Sequence, residues 1–150
     1  MKLLLRRLDQ NLRSEKKVNR KYPLLMKLLY QRLLLSMPYI FAFGMILTTV
    51  LLLIELAPSE NHWPYLDKVE HATVFFMLAS SAWLGFPKHA KLLLIGLVLY
   101  GAIMEVLQSL LTVTREGSFF DLVADVAGVF LCIIFANLIT YVKNNRVAAT

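Results

Sequence analysis

Cysteine is nearly absent from this 150-residue sequence, which contains only Cys132. A lone cysteine cannot form an internal disulfide, and its place inside an apolar run is typical of a small packing residue. The sequence also lacks a His-x-x-x-His motif and any cluster of cysteines, which are the short motifs of zinc sites. We therefore expect no disulfide framework, no bound metal and no other cofactor.

Acidic residues are scarce, with 10 Asp and Glu against 16 Lys and Arg, and the net charge is +6. Most of the basic residues lie in residues 1–32. In a soluble protein such a segment would raise the question of nucleic acid, but no nucleic-acid-binding fold has room here. Beside a membrane-spanning segment, a basic arm more often meets anionic lipid headgroups. We expect membrane lipids as partners, and no nucleic acid.

Long polar segments are also missing, and 58% of the residues are hydrophobic, against about 45–50% in a typical soluble domain. Apolar runs long enough or nearly long enough to cross a bilayer predict an all-α integral membrane four-helix bundle with a basic N-terminal cytoplasmic arm. The predicted spans are residues 33–54, 68–86, 92–114 and 119–142. The corresponding regions are an arm at 1–32, a four-span domain at 33–143 and a cytoplasmic tail at 144–150.

Four spans place both termini on one side of the membrane. The basic arm, the turn that carries Lys88 and Lys91, and the basic tail then share that side. Because cytoplasmic loops carry the excess of Lys and Arg, this pattern predicts that both termini are cytoplasmic. The connections near Asn61 and Glu116 are then expected to face outward. The first thirty residues are open to two interpretations, an interfacial helix or a disordered segment.

Polar side chains interrupt the apolar background in a pattern that helical spacing brings together. Residues three or four apart share one face of a helix, so Glu105 lies beside Gln108, and Asp121 lies beside Asp125. All of these groups fall within about three turns of the outer membrane boundary. Ionisable groups in such segments need partners or a wet cavity. The predicted ligand-binding set is Asp67, Lys68, His71, Glu105, Gln108, Arg115, Ser118, Asp121 and Asp125.

The order of these motifs resembles the VanZ-like family of bacterial membrane proteins. The matching text is Asp67-Lys68-Val69-Glu70-His71, Glu105-Val106-Leu107-Gln108, the stretch from Arg115 through Ser118 to Asp121, and Asp125-Val126-Ala127-Gly128. The match covers residues 67 to about 132. Asp125 stands where the family commonly has Asn, and Cys132 stands where a glycine is frequent. The family is named for a protein linked to glycopeptide resistance, so the resemblance implies a role in the cell envelope and a location in a bacterial cytoplasmic (inner) membrane.

Three functions are consistent with this pattern. The first is recognition of an envelope lipid, a cell-wall precursor or an amphiphilic glycopeptide in an outward-facing polar pocket. Lys68 and Arg115 would contact anionic groups, and the acids and Gln108 would meet hydroxyl, amide or amine groups. The second is a membrane-embedded enzyme in which His71 and a carboxylate act as acid and base. The third is a small transporter, which would need a partner or a homo-oligomer to form a path. Two further alternatives concern His71, Asp121 and Asp125: they would bind a divalent metal, or they would form a purely structural network that pins three helices together.

Overall fold

The computed structural model describes residues 24–54, 65–111 and 118–148. These residues form four helices and contain no strand. We label the helices α1 (Leu24–Leu53), α2 (Leu66–Gly85), α3 (Ala90–Leu111) and α4 (Phe119–Ala148). The predicted all-α membrane bundle is confirmed. Most of the arm, the connection at 55–64 and the turn with Arg115 lie outside the described residues.

Three of the described helices are long and apolar enough to cross a membrane: Met26–Leu53, Ala90–Leu111 and Phe119–Val142. Their outer faces carry exposed apolar side chains such as Leu99, Ile103 and Phe130, as contact with lipid requires. The second helix, α2, is 20 residues long but begins with Asp67, Lys68 and Glu70. These charges separate α2 from the other three, so its crossing of the membrane stays a prediction.

The first helix is longer than the apolar run that predicts it. The run begins at residue 33, whereas α1 begins at Leu24 and includes Lys27 and Arg32. Leu, Met, Lys, Gln and Arg are all good helix formers, so the helix extends into the basic region. Pro38 consequently lies inside α1 and not near its start. Met37–Thr150 forms one compact unit, and the preceding residues belong to a separate one.

Helices α2, α3 and α4 pack against one another, and the contact between α2 and α4 is the most extensive. The buried side chains of α2 include His71, Phe75, Leu78 and Ala82, which repeat at helical spacing along one face. Phe75 and Leu78 join Leu97 and Val129 in the hydrophobic core. This buried face of α2 therefore begins at the polar side chain of His71 and continues into the apolar core.

At Gly128, α4 lies very close to the backbone of α2. A Cβ at this position would collide with the backbone carbonyl oxygen of Ala72, and it would lie 2.9 Å from the backbone nitrogen of Phe76. A glycine one turn after Asp125 thus lets the two backbones come close together. This contact holds Asp125 of α4 against the first turns of α2.

Candidate functional site

A polar cluster occupies one end of the core, where the beginnings of α2 and α4 meet the end of α3. Its described members include the predicted site residues on these helices: His71, Gln108, Asp121 and Asp125 are buried, and Asp67, Lys68, Glu105 and Ser118 are partly buried. Charges in an apolar setting are costly unless they are paired, so the contacts among these groups decide what the cluster is able to do.

Lys68 bridges two helices through a pair of carboxylates. Its Nζ lies 3.0 Å from Oδ2 of Asp67 on its own helix and 2.5 Å from Oδ1 of Asp121 on α4. The Lys68 side chain is one-third exposed, whereas that of Asp121 is only 10% exposed. The ammonium group therefore compensates an acid that is almost removed from solvent.

His71 and Asp125 form the second link between α2 and α4. His71 Nδ1 lies 2.9 Å from Oδ1 of Asp125, and both side chains are buried, at 6% and 1% exposed. On its other side, His71 Nε2 lies 3.9 Å from Oδ1 of Asp67, one turn earlier on the same helix. A carboxylate on one ring nitrogen fixes the orientation of the imidazole and leaves the other nitrogen for a second partner.

Glu105 joins α3 to the start of α4. Its Oε2 accepts a hydrogen bond of 2.7 Å from the backbone N–H of Ser118. Ser118 directly precedes α4, and its carbonyl oxygen accepts the first bond of that helix, from the N–H of Asp121. The opening N–H groups of a helix lack intrahelical partners and favour negative charge. A carboxylate at this position therefore both caps α4 and anchors it to α3.

Gln108 joins α3 to the end of α1. Its Nε2 donates to the carbonyl oxygen of Leu52 at 2.9 Å. Leu52 lies in the last turn of α1, where carbonyl groups have no partner within the helix. The glutamine thus satisfies a helix end and ties α3 to α1. Nearer the start of α3, the hydroxyl group of Tyr100 lies 2.9 Å from that of Thr49 and forms a second link between α1 and α3.

A cavity of about 170 Å³ opens beside the cluster, between the end of α1 and the start of α2. Asp67, Glu70 and His71 line one part of it. Its remaining lining residues are largely apolar: Thr48, Leu51, Leu52, Val74 and Phe75. The cavity consequently presents a polar part and an apolar part to whatever enters it.

The structure brings eight of the nine predicted site residues to this end of the bundle. Arg115, the ninth, lies outside the described residues. Sequence reasoning missed Thr48 and Glu70 at the cavity and the hydroxyl pair of Thr49 and Tyr100. Threonines inside an apolar run were the available signal, since a polar group in such a segment needs a partner. Glu70 gave no signal, because an acid at the start of a helix is ordinary on a solvated surface.

No family model matches this chain, and comparisons with curated proteins and with solved structures also find no match.

Proposed function

We propose that this chain is a VanZ-like protein of a bacterial inner membrane that binds the polar headgroup of an amphiphilic envelope ligand. The proposed site is the cavity between α1 and α2, and it faces the outer leaflet. The observation that carries this proposal is the mixed lining of the cavity, in which Asp67, Glu70 and His71 stand beside Leu51, Leu52 and Val74. Such a lining matches a molecule with one polar and one apolar part.

The charges narrow the class of headgroup. Lys68 already contacts two carboxylates, so an anionic ligand would have to compete with Asp67 and Asp121 for it. The acids that line the cavity are Glu70 and Asp67, of which Asp67 also contacts Lys68. This arrangement favours an amine- or hydroxyl-bearing headgroup, which donates hydrogen bonds, over a phosphate recognised by Lys68 alone.

The volume of the cavity limits the class of ligand further. Pockets for drug-sized ligands usually measure about 300–1,000 Å³. The cavity here has about 170 Å³ and therefore suits a headgroup or a single sugar-sized group. A whole glycopeptide would not fit, although one amine-bearing part of it would. The lipid and the lipid-linked precursor are thus favoured over an intact glycopeptide.

A pair of tryptophan substitutions on α1 tests the proposal. Leu51 lines the cavity and is 47% exposed, and Leu47 is one turn earlier, 44% exposed and not part of the lining. Leu51→Trp should obstruct the cavity, whereas Leu47→Trp is the matched control. The protein is purified in mild detergent, and its retained lipids are identified by mass spectrometry.

We expect one lipid species to be enriched over the membrane extract in the wild type and in Leu47→Trp, and depleted in Leu51→Trp. Lipid profiles that simply follow the membrane composition in all three proteins would contradict the proposal. Equal enrichment in both variants would move the binding site away from this cavity.

A membrane-embedded acid–base enzyme is the second candidate, and the pairing of His71 with Asp125 favours it. A carboxylate at 2.9 Å from Nδ1 orients the imidazole, and Nε2 would then exchange a proton with a substrate held in the cavity. The same experiment separates the two functions. Conversion of the enriched lipid during incubation indicates catalysis, and its unchanged recovery indicates binding alone.

A further inference from the structure

Three potential metal ligands from three different helices converge beside the core. They are His71 of α2, Glu105 of α3 and Asp125 of α4, and one ligand atom of each lies within 4.8 Å of the other two. We propose that these three side chains bind a divalent transition-metal ion, of the class of Zn²⁺ or Mn²⁺. This inference does not rest on the proposed function: it concerns the junction of α2, α3 and α4, although His71 also lines the cavity beside α1.

The strongest observation is an unsatisfied oxygen on Asp125. Oδ1 is held by His71 Nδ1, but Oδ2 is buried and has no hydrogen-bond partner among the described residues. The Asp125 side chain is 1% exposed, so water from outside does not reach it freely. Buried polar atoms without a partner are rare because each costs free energy. A carboxylate oxygen in this condition points to a missing cation or donor.

Gly101 keeps space open next to that oxygen. A Cβ on Gly101 would lie 2.8 Å from Oδ2 of Asp125 and 3.2 Å from two ring carbons of Phe75. Any other residue would therefore press against the carboxylate or the ring. Glu105 follows one turn later on the same helix, so α3 provides both the space and the third ligand.

The distribution of charge favours a cation at this junction. Lys68 contacts Asp67 and Asp121, which accounts for those two acids. Glu105 and Asp125 remain, and no permanent cation among the described residues is paired with either. Two carboxylates in a poorly solvated place cost free energy unless positive charge compensates them. A divalent ion would neutralise both at once.

A second set, Asp67, His71 and Asp121, also has ligand atoms within 4.8 Å of one another. The ammonium group of Lys68 touches both of its carboxylates and occupies the place where a metal would need to be. The set with Glu105 and Asp125 has no such competitor. Oδ1 of Asp121 and Oδ2 of Asp125 are both buried without a hydrogen-bond partner, but Oδ1 of Asp121 meets the Lys68 ammonium group, whereas Oδ2 of Asp125 has no ion-pair partner among the described residues. These two differences assign the ion to His71, Glu105 and Asp125.

The donor atoms indicate the class of ion. One imidazole nitrogen with two carboxylates suits Zn²⁺ or Mn²⁺, whereas Ca²⁺ usually takes six to eight oxygen ligands. Zinc bonds to such donors are about 2.0–2.2 Å long, so the three side chains must close in slightly around the ion. Three protein ligands leave at least one coordination position for water. Because the ligands come from three helices, no short motif in the sequence reveals the site.

Calorimetric titration of the full-length, tag-free, metal-depleted protein in detergent with ZnCl₂ and MnCl₂ tests the inference. We expect saturable binding of one ion per chain. Glu105→Gln and Asp125→Asn preserve the shape of each side chain and most of its hydrogen bonds, but each should weaken metal binding at least about tenfold. Even the loss of a residue that only hydrogen-bonds to a metal ligand lowers metal affinity about 10–100-fold. His89→Gln, in the exposed turn between α2 and α3, is the matched control and should bind like the wild type. Asp121→Asn tests the second set of ligands and should lose less affinity than Glu105→Gln and Asp125→Asn.

The absence of saturable binding in the wild type would overturn the inference. Equal affinity in Glu105→Gln and Asp125→Asn, or a loss in Asp121→Asn as large as in those variants, would overturn the assignment of ligands. X-ray absorption on zinc-loaded wild type covers the case in which a variant does not fold. One imidazole nitrogen with oxygen ligands at about 2.0–2.2 Å supports the site. Sulfur, or two or more imidazoles, contradicts it.

Discussion

Lys68 shows how one residue makes a charged helix end compatible with an apolar bundle. Its stem reaches from α2 to Asp121 of α4, and its ammonium group contacts two carboxylates at once. The pair with Asp121 is only partly exposed to water, so solvent screens it less than a surface ion pair. Removing one partner of such a pair leaves the other charge uncompensated, which is where most of the cost arises.

Lys68→Met is therefore expected to lower the free energy of unfolding by about 1–3 kcal/mol. Thermal unfolding in detergent measures the effect. Lys88→Met in the exposed turn between α2 and α3 is the control and should stay within about 0.5 kcal/mol of wild type. Adding Asp121→Asn to Lys68→Met should recover part of the loss, because the unpaired charge is then gone. Strictly additive losses would show that the two side chains do not interact.

At the scale of the helices, glycine positions decide how closely the elements approach. Gly128 lets α4 meet the backbone of α2 at Ala72, whereas Gly96 of α3 has open space around it, and a Cβ added there would meet nothing within 4 Å. The same residue type thus has a packing role in one helix and none in the other. Only the first is needed to bring Asp125 to His71.

Gly128→Ala should destabilise the bundle by about 1–3 kcal/mol, the usual range for an overpacked contact, because backbone atoms cannot move aside as a flexible side chain would. Gly96→Ala provides the comparison and should be neutral or stabilising by up to about 1 kcal/mol, since alanine favours the helix. Thermal unfolding of the two variants in the same detergent decides the matter. Equal behaviour would mean that the close contact at Gly128 is not maintained in the protein.

The helices were largely predictable, whereas the partners of individual side chains were not. Apolar runs located the starts of α3 and α4 within two residues, but α4 continues six residues beyond its predicted span. The run before Ile54 likewise marked only the apolar part of α1, because helix formation does not require an apolar sequence. Periodicity showed that Asp121 and Asp125 share a face. It did not show that Lys68 meets Asp121 and that His71 meets Asp125. The spacing of residues along one helix does not determine how a neighbouring helix is rotated about its own axis.

For the whole molecule, the distribution of charge sets the expected orientation. Three described helices qualify as membrane-spanning by length and composition, and α2 completes an even number if it also crosses. The polar cluster lies at the end where α2 and α4 begin, opposite the short turn that joins α2 to α3 and carries Lys88. The orientation of the chain therefore decides which compartment reaches the cluster.

Reporter fusions should place Met1, Lys88 and Thr150 on the cytoplasmic side, and Asn61 and Glu116 on the outer side. The reason is that basic residues are retained in the cytoplasm. Removing basic residues from the turn supplies the control. Replacing Lys88 and Lys91 with Gln should weaken the preference for this orientation without inverting it, because the basic arm remains. An outer location for Lys88 would turn the polar cluster toward the cytoplasm and exclude a ligand from the outer leaflet.

The charged opening turn of α2 has a consequence for biogenesis. During insertion by the translocon, Asp or Lys at the centre of a helix costs about 2.5–3.5 kcal/mol per residue, and less toward its ends. Asp67 and Lys68 lie at the start of α2, and Asp121, the partner of Lys68 on α4, is synthesised more than fifty residues later. We expect α2 to enter the bilayer fully only after α4 has emerged from the ribosome. Truncation after residue 111 should leave α2 poorly inserted in a glycosylation-mapping assay, and extension to residue 148 should restore it.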